Sequence, residues 1–150
     1  MKKIDYELRK AIEIFPVVML NINKEIDEII QNFKLDEKVS RQQVECMRIL
    51  NKYGNLTINQ LAKKQKIYKT AASKRIKKLE ELGFVEEVFS TNHRIKLVKL
   101  TDMGANFLNE VSELMTNILA ERLKKKITNE EIKFFIDQLI RIESILTRKN

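Results

Sequence analysis

Residues Leu56–Thr101 read LTINQLAKKQKIYKTAASKRIKKLEELGFVEEVFSTNHRIKLVKLT. Thr57 and Gln60 have the spacing of a capping box, which starts a helix at Thr57 and turns Ile58, Leu61 and Ala62 inward. A break at Gln65–Tyr68 leads to a second helix over roughly Lys69–Leu82, stopped by Gly83, a residue that readily takes the left-handed turn closing a helix. Ala72, Ile76 and Leu79 recur at helical spacing and form its buried stripe. At about 100° per residue, Thr70, Ser73, Lys74 and Lys77 fall together on the opposite side. That face offers ammonium groups for phosphates and short polar side chains for base edges, the mixture a helix needs in a DNA major groove.

A hairpin follows. Phe84–Phe89 and Ile95–Leu100 are β-branched and apolar segments joined by Ser90-Thr91-Asn92-His93-Arg94. The loop is polar and ends in a cation, so its tip forms a solvated wing, and an arginine there suits a narrow, electronegative minor groove. The reading is a winged helix-turn-helix.

The charge distribution supports a polyanionic partner. The chain carries a net charge of +8. Lys52–Thr101 holds twelve Lys or Arg against four Asp or Glu, and the other hundred residues hold seventeen against seventeen. A solubility effect would spread the excess; here all of it lies in the helix-turn-helix and wing.

These residues resemble the MarR group of bacterial winged-helix regulators over about Ser40–Val111. The most specific part is NHRIKLVKLTDMG, which looks like the family's wing pattern Asp-x-Arg followed by a strand and Leu-Thr-x-x-Gly. Arg94, Leu100, Thr101 and Gly104 fit. Asn92 stands where the family usually has Asp, keeping an acceptor oxygen and losing the charge. Tyr68 sits where a capping Ser or Asp is usual, and Arg75 replaces a usually apolar residue. The resemblance implies a small anionic, frequently phenolic effector bound between dimer helices and DNA module, and it identifies no residue for one.

The flanks are helical by composition. At 150 residues the length fits one domain, expected to comprise a DNA-binding module at 40–101 and dimerisation helices at 1–35 and 105–150. Ile4–Phe33 is apolar and interrupted by Pro16, which predicts either a kinked helix or a short helix followed by a longer one, with Ile22, Ile26, Ile29, Ile30 and Phe33 as its stripe. A loop is expected at Lys34–Val39. Ser40 with Gln43 opens a helix through Asn51 carrying Val44, Met47 and Leu50. Cys46 lies on it, either as a small apolar core residue or as an oxidation sensor of the kind some MarR relatives use. Thr101 or Asp102 starts a helix to about Leu123, and a third capping box at Thr128 and Glu131 opens one to about Leu146. These segments carry more apolar surface than one small core consumes, and burial against a second copy is the simplest remedy.

Several function classes find no support. The longest apolar run, Ile14–Leu20, is too short to span a bilayer, and the charged start MKKIDYELRK is unlike a signal peptide, which points to a cytoplasmic protein. One cysteine builds no intramolecular disulfide framework. There is no Gly-rich phosphate loop, no Cys/His metal spacing and no nucleophile with a base partner, so neither an enzyme nor a cofactor is expected. The expected function is a homodimeric transcriptional regulator, a repressor, on a pseudo-palindromic operator. Lys69, Lys74 and Lys77 neutralise phosphates, Thr70, Ala71 and Ser73 face base edges, Tyr68 gives its hydroxyl to a phosphate, and Asn92, His93 and Arg94 form the wing contact. Two alternatives stand beside it: a winged-helix protein-docking module, and an architectural binder gripping phosphates without reading bases.

Overall fold

The structure is a computed structural model that describes residues 2–34 and 39–148. In chain order it contains α1 (Lys3–Asn32), α2 (Arg41–Tyr53), α3 (Ile58–Gln65), α4 (Lys69–Glu81), β1 (Val85–Phe89), β2 (Lys96–Leu100), α5 (Asp102–Leu123) and α6 (Asn129–Thr147). The fold is mainly helical with one antiparallel hairpin, in which Val85 faces Leu100 and Phe89 faces Lys96. The chain packs as two compact units, Met1–Glu110 and Val111–Asn150. Among the described residues no helix is long and apolar enough to cross a membrane.

The core of the first unit follows the helical stripes. Val44, Met47 and Leu50 of α2, Leu61 of α3, and Ala72, Ile76 and Leu79 of α4 are all buried, as their spacing predicts. Both capping boxes form: the Ser40 hydroxyl accepts from Gln43 N while Gln43 Oε1 accepts from Ser40 N, and Thr57 and Gln60 make the same reciprocal pair. The third expected box forms by half: the Thr128 hydroxyl accepts from Glu131 N at 3.1 Å, without the reciprocal bond from the Thr128 N–H to the Glu131 side chain. Beyond the hairpin, Leu56 pairs with Val98 through two backbone hydrogen bonds, Leu56 N to Val98 O and Val98 N to Leu56 O. A single bridge thus fastens the α2–α3 connection to β2, and the periodicity of one residue leaves no trace in sequence.

The hairpin is also fastened to α5. Thr101 Oγ1 donates to the Gly83 carbonyl at 2.6 Å and accepts from Gly104 N at 3.0 Å, so one hydroxyl caps α5 and holds the turn that ends α4. Thr101 N donates to the Phe84 carbonyl, and a Cβ at Gly104 would lie well inside van der Waals contact with that same carbonyl. This close approach explains the glycine three residues after the threonine. Phe84 and Phe107 stack above it with centroids 4.5 Å apart.

Two expectations about the flanks change. α1 runs unbroken through Pro16 as a single helix of 30 residues, which removes the version with two separate helices. Its buried side chains are Ile29 and Ile30; Ile26 is half-buried, while Ile22 and Phe33 are exposed. The stripe therefore meets this unit's core only at its C-terminal end, because a helix about 45 Å long outreaches so small a core. The expected loop Lys34–Val39 falls mostly on 35–38, outside the described residues. On α6, Phe134, Phe135, Leu139, Ile142 and Leu146 are all exposed.

Candidate nucleic-acid interface

The turn between α3 and α4 is built by Lys66 in the left-handed region, φ 55° and ψ 48°, with Ile67 N donating to the Ala62 carbonyl. A non-glycine residue there costs on the order of 1 kcal/mol, which the helix-closing bonds offset. Tyr68 then takes the extended N-cap conformation of α4 with no capping bond from its side chain, and the residue is 87% exposed. Lys69, Thr70, Lys74 and Lys77 are exposed, whereas Ala71 and Ser73 are half-buried. With Ala72, Ile76 and Leu79 inward, the outward direction of α4 centres on Lys74, flanked by Thr70 and Lys77. Ala71 and Ser73 lie on opposite flanks, so Ser73 is not grouped at the centre of the face as its spacing from Thr70 and Lys77 suggested.

The wing loop is held by side chain and backbone together. Asn92 Oδ1 accepts from Ser90 Oγ at 2.6 Å and from Arg94 N at 3.1 Å, and Ser90 N donates to the Ile95 carbonyl at 2.8 Å. His93 sits at φ 58°, the left-handed residue of the turn. An amide oxygen accepts these bonds as a carboxylate does, so Asn92 braces the tip without a charge. Thr91, His93 and Arg94 remain exposed.

Three electrostatic arrangements surround these elements. Lys96 pairs with Glu87 across the hairpin, and the hydrogen bond to Glu87 raises the ammonium above its ordinary range. Burial pushes the neighbouring Glu80 carboxyl up, and Glu87 pushes it the same way while Lys96 opposes. Lys69 shares a hollow of about 210 Å³ with Thr57, Ile58, Asn59, Glu87, Lys96 and Val98. Asn59 and Lys96 thus neighbour Lys69 without being legible as site residues. Asn59 follows a helix cap and Lys96 opens a strand, positions that ordinarily carry solvated polar groups. Lys64 Nζ lies 3.7 Å from the centre of the Tyr53 ring, a cation–π contact linking α3 to the end of α2.

Cys46 is buried, and that burial pushes its thiol from 9.0 up to about 11, against an opposing pull from Arg75. A thiol so raised has almost no thiolate near neutrality, and the thiolate is the reactive form. The core reading of Cys46 fits these facts. Arg75 is half-buried, and its positive charge pulls the Cys46 thiol down against that burial. Among the described residues no cluster of three His, Cys, Asp or Glu is placed to hold a metal ion.

Comparison with known proteins matches this geometry. The MarR family model covers residues 39–94, spanning α2 to the wing tip. The HTH-type transcriptional regulator TcaR of Staphylococcus aureus is 28% identical over 128 residues, 83% of either chain. The uncharacterized HTH-type transcriptional regulator YdgG of Bacillus subtilis is 31% identical over 122 residues, 77% of either chain. Among solved structures, a MarR family protein from Bacillus stearothermophilus superposes over 99% of both chains with a TM-score of 0.78 at 20% identity. A MarR family transcriptional regulator from Silicibacter pomeroyi does so over 89% of both with a TM-score of 0.72 at 24% identity. A helix-turn-helix with a basic outward face, a braced wing and this relatedness has one reading: the chain belongs to the MarR family of DNA-binding, winged-helix transcriptional regulators.

Proposed function

We propose that this regulator is a homodimeric repressor of a pseudo-palindromic operator, with 40–101 as the DNA module and 1–35 and 105–150 as dimerisation helices in a single MarR-like domain. The observation that carries the DNA reading is the open face of α4, where Thr70, Lys74 and Lys77 stand exposed in the segment holding all the net positive charge. Each α4 enters a major groove on one side of the duplex, about one turn from its twin. Lys69, Lys74 and Lys77 contact phosphates; Thr70, Ala71 and Ser73 face base edges; Asn92 shapes the wing that carries His93 and Arg94 to the adjacent minor groove. Tyr68 gives its hydroxyl to a phosphate.

The dimer is supported by surface left uncovered. Along α1, Ile4, Leu8, Ile12, Phe15 and Ile22 are exposed at spacings of three, four and seven, and α6 is exposed along its apolar stripe. An effector that releases the operator, small and anionic or phenolic, is the regulatory mode in keeping with the family.

Selection of the purified chain on a random duplex pool tests the reading. Recovery of an inverted repeat with half-sites one turn apart is the expected result. Retention without a shared motif would leave the architectural binder, for which the lysine-rich face also argues. No retention at low salt would move the function to protein docking.

A further inference from the structure

The side chains around the start of α4 restrict how an operator is read, and this rests on α4 being the recognition helix. Base-edge readout in the major groove uses Arg or Lys on guanine and Asn or Gln on adenine, and a planar guanidinium or amide fixes two base-edge atoms more rigidly than the point charge of an ammonium. α4 contains no Asn or Gln, and its single arginine, Arg75, is half-buried. Of the neighbouring amides, Asn59 is exposed, whereas Gln60 Oε1 accepts from Thr57 N, Gln65 Nε2 donates to the Gln42 carbonyl, and Asn92 holds the wing. At the same place lies a shallow hollow of about 480 Å³ lined by Lys66, Ile67, Tyr68 and Ala71. Three of its four lining residues are apolar or aromatic, and Tyr68 stands almost fully in solvent. Lys66 lines it and is exposed, as are Lys69 and Lys74 on α4.

A largely apolar hollow lined by one exposed lysine, on a module with an excess of cations, fits one feature of duplex DNA. The thymine methyl is the apolar group on the major-groove floor, and phosphates flank it on both strands. We infer that Tyr68 and Ala71, with Ile67 behind them, determine specificity by seating thymine methyl groups, so that the operator half-site is recognised through its thymines more than through hydrogen bonds to guanine or adenine.

The test uses the full chain and the duplex recovered by selection, with single thymines of a half-site replaced by deoxyuridine, which removes the methyl group alone. Burying one such group is worth about fourfold in affinity, so loss of about that size at one or two positions is expected. In Tyr68→Ala the penalty at those positions should vanish. Tyr68→Phe should keep it, which separates methyl seating from a hydroxyl bond to phosphate. Tyr68 is exposed, so both variants fold, as circular dichroism verifies. Absence of any deoxyuridine penalty, with loss of affinity on 7-deazapurine substitution instead, overturns the inference and assigns readout to hydrogen bonds. Retention of all duplexes alike also overturns it while DNA binding stands. Failure to retain any duplex at low salt removes the underlying DNA reading itself.

Discussion

Arg94 and Cys46 mark the two ways a single residue acts here. Arg94 is exposed at a tip whose backbone is already held by Asn92 and Ser90, so its side chain is spared any structural duty. Arg94→Ala is expected to leave the melting temperature unchanged, to weaken operator binding at least ~10-fold, and to reduce the slope of affinity against salt by about one ion. Unchanged affinity in a titration of that variant would remove the wing from the interface. Cys46 acts through burial instead. Its thiol resists ionisation up to about 11 when folded and ionises around 9.0 when unfolded, so the unfolded chain gives up its proton first as pH rises. The stabilisation is thus complete below pH 9 and is lost between about 9 and 11, an effect of up to about 3 kcal/mol. Urea titrations across that window should show the steeper fall in the native chain and its absence in Cys46→Ala. The same burial predicts no reaction with thiol reagents at neutral pH until the protein unfolds.

At the scale of elements, two junctions decide stability. The hairpin meets α5 where Gly104 lies against the Phe84 carbonyl and Thr101 bonds both Gly83 and Gly104. Alanine in a helix is favoured over glycine by about 1 kcal/mol, yet overpacking against fixed backbone costs about 1–3 kcal/mol. The carbonyl cannot move aside, because it accepts from Thr101 N, so the steric term wins. Gly104→Ala should therefore lower stability by about 1–2 kcal/mol in chemical denaturation; a gain would mean the junction is looser than it looks. In α1 the proline at 16 lacks the N–H that would reach the Ile12 carbonyl, at a cost of up to about 3 kcal/mol relative to alanine. Pro16→Ala should raise the helix's thermal resistance, and hydrogen exchange should find the amide introduced at position 16 protected. An unprotected amide there would show that this stretch of α1 is not persistently helical.

For the whole molecule, the governing fact is apolar surface without a partner. Ile12 and Phe15 on α1 and Phe135 and Leu139 on α6 are exposed, and none is needed by the buried cores described above. Sedimentation at micromolar concentration should give twice the 17.7 kDa of one chain. Ile12→Asp with Phe135→Asp should give one chain that retains its helical circular dichroism and binds the operator far more weakly, since two half-sites are then engaged independently. A native chain that sediments as a monomer would sink the dimer and with it the palindromic operator.

Much of this was legible from residues alone. Capping boxes at Ser40 and Thr57, the stop at Gly83, the stripe Ala72–Ile76–Leu79 and the β-branched, apolar character of two short segments around a polar loop are local rules, so spacing and composition reveal them. The excess charge over Lys52–Thr101 is likewise a property of composition. Other features depend on contacts between distant residues and leave no periodic mark. The bridge from Leu56 to Val98, the Lys69 hollow shared with Asn59 and Lys96, and the burial of Cys46 belong to this class. So does the exposure of Ile22 and Phe33, whose spacing is that of core residues but which lie where the core does not reach. Helical period states that a face is apolar, and only packing decides whether that face is covered. The sequence by itself determined the elements of the helix-turn-helix and wing, their order and the sign of the partner's charge, because these follow from short-range backbone chemistry and composition. Tertiary structure alone decided which side chains of α4 stand open and which amides are already engaged, because both depend on neighbours far along the chain.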